Sequence, residues 1–329
     1  TRDERCAAYM ADAYARVTGR VGVCEGPSGG GATYLLPGIV EANESSIAVL
    51  GITTDVPVGS RGRYPLTELD QRALYRPLTK WNATIDRVDQ VPQVLRSAFR
   101  AMTTGRPGAA HIGLPYDVQQ HTLDASAEAD VWAQPGHDRF PSSRCAPDPA
   151  DVERAARCLA GARMPVIVCG GGVVIANAHE ALARLALLLD AAVCTTVSGQ
   201  GSLGDSHPLN AGVVGANGGT PATRAVVMAA DVVLFVGCRA GSTTTENWRA
   251  PSREATILHA DVDPMVVGAN YRTEVGLVGD AALALDALAD ALEGPLQSQL
   301  QARAQRPEGA VLAQRARAAS HDALSRLAE

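Results

Sequence analysis

The sequence predicts an α/β protein made of two doubly wound parallel-sheet domains, and three observations carry that reading. Strand-sized apolar runs, bounded by turn residues, alternate with helically patterned stretches along most of the chain. The 329 residues exceed what one hydrophobic core normally serves. Hydrophobic residues make up 46% and aromatic residues only 4%. Ala, Val, Leu and Ile must therefore fill the core, which suits helices packed on buried parallel strands.

Composition narrows the function classes. The net charge is −6 and no basic run occurs, which argues against nucleic acid or an anionic membrane as partner. No apolar stretch is long enough to span a bilayer, and the start lacks a signal-peptide pattern. The seven Cys are dispersed and form no C-x-x-C. That argues against a disulfide framework or zinc site and for a reducing, cytoplasmic setting.

Each element follows in order. Residues 4–18 place Ala7, Ala8, Ala11, Tyr14 and Ala15 at helical spacing, and Gly19 ends the helix. Gly22 to Cys24 reads as a strand, and Ala32 to Asn43 as a helix. Ile47 to Ile52 is a buried strand, whereas 55–82 is loop-like, rich in Pro, Gly, Arg and Thr. A helix over 91–103 and a strand from Ala109 to Leu114 complete a first domain over 1–120. The pattern fades over 121–149, which reads as a linker.

Alternation resumes in a second domain over 150–295. Helices are expected over 151–159, 178–189, 221–230 and 281–292, and strands over 165–169, 192–195, 232–237 and 256–261. The remainder, 296–329, reads as a solvated helical connector or tail.

The first domain opens with Arg2-Asp3-Glu4, continues through Tyr14-Ala15-Arg16 and Thr18-Gly19, and reaches Gly26-Pro27-Ser28-Gly29-Gly30-Gly31-Ala32-Thr33. Downstream stand Arg76-Pro77-Leu78-Thr79-Lys80, Thr104-Gly105-Arg106-Pro107-Gly108 and Leu114-Pro115-Tyr116-Asp117-Val118. Read alone, Glu4 is a solvated acid of a first helical turn. The glycine run is a strand-to-helix turn that fails the dinucleotide spacing test. Taken together and in this order, these segments resemble the pyrimidine-binding domain of thiamine-diphosphate enzymes, most closely the acetolactate synthase group.

The resemblance implies a bound thiamine diphosphate with Mg²⁺ in the full-length protein. Glu4 takes the place of the glutamate that bonds the aminopyrimidine ring and promotes proton loss from C2 of the thiazolium. Pro27, Ser28, Gly29 and Gly30 lie on the cofactor side, and Thr67 on the substrate side, where acetolactate synthase has Gln. Asp3 stands where much of the family has His, and Gly30 replaces a Pro. The implied reaction joins or decarboxylates a 2-oxo acid or a related acyl donor, in a homodimer or tetramer.

The second domain resembles the central domain of the same enzymes through Gly170-Gly171-Gly172, Gly237-Cys238-Arg239 and Asp261-Val262-Asp263-Pro264. That domain binds FAD in acetolactate synthase, and an ADP-type ligand or nothing in relatives. Gly171, Arg239 and Asp261 are the residues this implies. Ala240-Gly241-Ser242 replaces the Phe-Asp-Asp of FAD-binding members, and Asp261 equally suits a strand-end turn.

No Gly-Asp-Gly occurs, although the family anchors Mg²⁺ and the diphosphate there. No metal site is expected in this chain. It is read as a fragment of an enzyme, inactive alone. The alternatives are a non-catalytic or split subunit, or a nucleotide-binding module.

Overall fold

The computed structural model describes residues 1–123, 131–294, 296–303 and 308–327. Residues 124–130 of the expected linker, and parts of the tail, lie outside the described residues. The chain forms two compact units, Thr1–Ser143 and Arg144–Glu329.

The first unit runs α1 (Glu4–Thr18), β1 (Gly22–Gly26), α2 (Gly30–Tyr34), α3 (Leu36–Glu44) and β2 (Val49–Asp55). It continues with α4 (Gln71–Tyr75), β3 (Trp81–Thr84), α5 (Val91–Thr103), β4 (Ala110–Pro115) and α6 (Tyr116–Gln119). The strands form one parallel sheet in the order β1-β2-β4-β3. α1 buries Ala8, Ala11 and Ala15 and ends at Gly19, which adopts the left-handed φ of 65° that suits glycine.

Three expectations change here. The helix expected over 32–43 is two helices broken at Leu35. The stretch expected to be loop holds α4 and β3. Part of the expected linker packs as structure: Phe140 is buried, its N–H bonds the Gly19 carbonyl at 3.1 Å, and Ser142 N–H bonds Thr103 O at 2.9 Å. An apolar ring with a sheltered place to go outweighs the surrounding Pro and Ser residues.

The second unit runs α7 (Pro149–Gly161), β5 (Pro165–Cys169), α8 (Gly171–Ile175), α9 (His179–Leu189), β6 (Ala192–Thr195) and β7 (Asn210–Val213). Then follow α10 (Pro221–Ala229), β8 (Val232–Val236), β9 (Thr256–Asp261), β10 (Val275–Val278), α11 (Ala281–Glu293), α12 (Gln297–Arg303) and α13 (Gly309–Leu327). All six strands are parallel, in the order β10-β9-β8-β5-β6-β7. The order reverses between β5 and β8, the place where such sheets present ligand sites.

Alternate strand residues face opposite helical layers. Ile167, Leu234 and Leu258 pack with Leu159, Leu182 and Leu285, whereas Val168, Val233 and Phe235 pack with Val226, Val227 and Ala313. The tail, expected to be solvated, is docked. Both carboxylate oxygens of Asp190 accept the first N–H groups of α13, from Gly309 at 3.1 Å and Ala310 at 3.2 Å. Ala313 and Ala316 are buried on the sheet. The residues it buries on the sheet are small alanines, helped by Leu312 and by polar bonds from Arg317 and Ser320, so no strong apolar stripe marks this helix. Among the described residues no helix is long and apolar enough to cross a membrane.

Candidate active site

Glu4 is the first residue of α1 because Asp3 caps that helix. The Asp3 carboxylate accepts from Arg5 N–H at 2.8 Å. Hydrogen bonds from the Arg5 side chain, then its backbone, hold the Asp3 carboxyl down at about 2. An acid at position 3 therefore serves as a helix cap.

Glu4 is half-buried and lines a cavity of about 440 Å³. The other walls are the ends of β1 (Glu25, Gly26), β2 (Ile52, Thr54) and β4 (Leu114), with Pro27 and Gln119 and the leading residues Thr1, Arg2 and Asp3. These are the C-terminal strand ends, where α/β sheets bind ligands. The size suits a small-molecule site. Gly31 lies near both: a Cβ there would fall 3.4 Å from Glu4 Oε1 and 2.3 Å from Pro27 Cγ. The lining is mostly polar, with Ile52, Leu114 and Pro27 as its apolar part, so a flat ring with polar edges finds both apolar contact and hydrogen-bonding carboxyls there.

The other sequence-predicted residues are placed as follows. Pro27 joins Glu4 at the cavity. Ser28 and Gly29 form a neighbouring turn against Thr67. The Ser28 and Thr67 hydroxyls are 2.7 Å apart, and a Cβ on Gly29 would fall 2.8 Å from Thr67 Cβ. Gly29 and Thr67 both have positive φ, 64° and 71°. This is strained for a β-branched residue such as Thr67. Gly30 has open space around its Cα and ordinary φ, so the backbone makes no demand for glycine there.

In the second unit Gly171, Arg239 and Asp261 all stand at the C-terminal edge of the sheet, after β5, after β8 and at the end of β9. Arg239 is exposed. One Asp261 oxygen accepts Asp263 N–H at 2.9 Å, and Asn270 Nδ2 donates to Arg239 O at 2.9 Å. His207 and His259 bond backbone groups: His207 Nδ1 accepts from Leu209 N–H at 3.2 Å, and His259 Nε2 lies 2.8 Å from Cys238 O. Among the described residues no cluster of three or more His, Cys, Asp or Glu could hold a metal ion.

Sequence reading missed a buried polar group behind the cavity. On β2, Ile52 and Thr54 face the cavity, so Thr53 points to the other side. There Thr53 Oγ1 meets His111 Nε2 at 2.7 Å and hydrogen-bonds Gln71 Oε1. Gln71 Nε2 donates to Thr54 O at 2.8 Å, which turns its carbonyl toward Thr53. The Thr53 hydroxyl therefore donates to Gln71 and accepts from His111, assigning the proton to Nε2. His111 Nδ1 is buried with no hydrogen-bond partner in the structure.

Burial pushes the His111 imidazole down to about 3. It stays neutral in the fold while the unfolded chain protonates near the ordinary value of 6.5. Its contribution to stability is thus complete above 6.5 and is lost as pH falls from 6.5 toward 3. The expected slope approaches about 1.4 kcal/mol per pH unit. Urea midpoints from pH 7 to pH 4 should show His111→Val losing less stability over this window than wild type, and parallel curves would refute it.

Comparison with known proteins bears on both units. Residues 1–74 match the family described as thiamine pyrophosphate enzyme, N-terminal TPP binding domain. Residues 152–288 match thiamine pyrophosphate enzyme, central domain. A probable acetolactate synthase large subunit of Methanocaldococcus jannaschii is 40% identical over 286 residues, covering 85% of this chain and 47% of the relative. One from Methanococcus aeolicus is 38% identical over 294 residues, 87% of this chain and 47% of the relative. The acetolactate synthase large subunit of Corynebacterium glutamicum is 36% identical over 282 residues, 85% and 44% respectively. The chain thus spans about half the length of the curated relatives it matches. With its carboxyl-lined cavity at the strand ends of one parallel sheet and its second parallel sheet matched in turn, the chain belongs to the thiamine pyrophosphate enzymes, of which it carries the N-terminal and central domains.

Proposed function

We propose that the first unit holds the pyrimidine end of thiamine diphosphate, with Glu4 as the catalytic carboxyl, in an enzyme that decarboxylates or joins 2-oxo acids. The observation that carries this is that Glu4 lines the strand-end cavity together with Pro27, with room beside it for no more than a glycine at position 31 before a side chain would touch its carboxylate. Ile52, Leu114 and Pro27 supply apolar contact for the faces of a ring, and Glu4 a proton-holding group at its edge. The cofactor, when bound, supplies the carbon nucleophile that such chemistry needs. The role of Glu4 is to hold a proton against a ring nitrogen, and that of the walls is to orient the ring. Ser28, Gly29 and Gly30 border the same site, and Thr67 presents a hydroxyl to the substrate. Mg²⁺ and the diphosphate are assigned to residues outside this set.

The same reading includes a homodimer or tetramer. α1 is apolar on two faces: Ala8, Ala11 and Ala15 point inward, while Met10 and Val17 are 63% and 86% exposed on the other side. Helices with two apolar faces are normally covered on both. In the central unit, Gly171, Arg239 and Asp261 offer a turn, a cation and a carboxylate to the phosphate and ribose of an ADP-type ligand or FAD. A cytoplasmic location completes the reading.

Thiamine diphosphate with Mg²⁺ should raise the thermal midpoint of the full-length protein. At a hundredfold excess over Kd the stabilisation expected is about 2.7 kcal/mol. Release of CO₂ from a 2-oxo acid such as pyruvate should then depend on the cofactor. A midpoint indifferent to thiamine diphosphate at millimolar concentration would sink the reading.

A further inference from the structure

α2 is five residues long. So short a helix does not hold its own shape in water, because nucleation costs more than one turn returns. Its position depends on what ties it down. On one side Gly31 borders Glu4, so closely that a Cβ there would just touch the carboxylate, 3.4 Å from Oε1. From another direction the Tyr75 hydroxyl donates to the Ala32 carbonyl at 2.6 Å. Both residues are fully buried, at 0% exposure.

Tyr75 is itself immobilised. Its ring lies flat on His111, with centroids 3.5 Å apart and planes 3° from parallel. His111 is held through Thr53, and Thr53 through Gln71, whose amide reaches the Thr54 carbonyl. Thr54 lines the cavity. One buried network thus touches the site twice, at its wall through Thr54 and at the support of Glu4 through Ala32. α4, which brings Tyr75 and Gln71 into this network, is fixed at its start by Asp70, whose carboxylate accepts Ala73 N–H at 2.9 Å.

We infer that Tyr75 is a positioning residue for Glu4: its hydroxyl fixes α2, and α2 fixes the space in which the carboxylate sits. The inference rests on the cofactor reading of Glu4 given above. Tyr75 does not line the cavity, so it acts through α2. A buried phenol needs an acceptor, and a buried carbonyl a donor, so each secures the other. Functional groups held from behind in this way keep the sub-ångström placement on which rate depends.

The test is Tyr75→Phe in the full-length protein, which keeps the ring and removes only the hydroxyl. In the cofactor-free protein, amide hydrogen exchange over 30–36 should quicken about tenfold, the factor that goes with one buried hydrogen bond. Exchange in α5 and β4 should stay unchanged, which reports that the fold is retained. With thiamine diphosphate bound, C2-proton exchange should slow about tenfold while cofactor Kd moves less than about twofold. Unchanged amide protection over 30–36 overturns the inference. So does faster amide exchange with C2 exchange at the wild-type rate. Failure of the cofactor reading itself is seen separately, as wild-type C2 exchange in Glu4→Gln.

Discussion

Glu4→Gln in the full-length protein is expected to slow C2-proton exchange of bound thiamine diphosphate by at least about 100-fold, the usual scale for losing a general acid–base group. Glutamine keeps the length and shape of the side chain, so it fills the same space beside Gly31. It cannot take up or give up a proton in the working range, so the loss falls on rate. Cofactor affinity should change only by the strength of one hydrogen bond, about tenfold or less. The measurement is loss of the C2 proton signal in deuterated buffer, followed after acid quench. Exchange at the wild-type rate would remove Glu4 from the chemistry. Asp3, which also lines the cavity, makes the comparison: its carboxylate caps α1 and is tied to Arg5. Asp3→Asn, still a capping side chain, should leave exchange within a few-fold of wild type.

The second large effect is on stability. Gly170→Ala should destabilise the central unit by about 3 kcal/mol, the upper part of the range for overpacking a well-filled site. The glycine follows β5 at the point where strand order reverses. A Cβ at this position would fall 2.1 Å from Gly237 O and 2.7 Å from Cys238 Cα. Both are backbone atoms, and neither can swing aside. The two segments are also tied, by Gly170 N–H to Val236 O at 2.9 Å and Gly172 N–H to Gly237 O at 3.0 Å. Relief of the overlap must therefore part β5 from β8. Gly241→Ala is the comparison, since nothing lies within 4 Å of the Cβ it would gain. It should stay within about 0.5 kcal/mol of wild type. Equal urea midpoints for the two variants would contradict the steric account.

The elements with long, regular patterns were legible from sequence. α1, α5, α9 and α11 bury faces that recur every three or four residues, and β5 and β8 are unbroken apolar runs. Shorter ones were not. α4 has five residues and β3 four, each half-buried on β3, so neither repeats long enough to show a period. β7 and β10 are also four residues long and lie at the sheet margins. The docked tail escaped notice because its cap, Asp190, stands 119 residues before Gly309.

Parallel α/β architecture, the division into two sheets and the candidacy of Glu4 follow from the amino-acid order alone. Local periodicity dictates local structure, and the ordered motifs of residues 1–118 needed no coordinates to be compared with a family. The partners of His111 and Tyr75 were decided only by the tertiary fold. Thr53 is 58 residues from His111, and Ala32 is 43 from Tyr75. Hydrogen bonds between groups so far apart in sequence exist only after the sheet has formed, because chain folding rather than spacing brings their atoms within 3 Å.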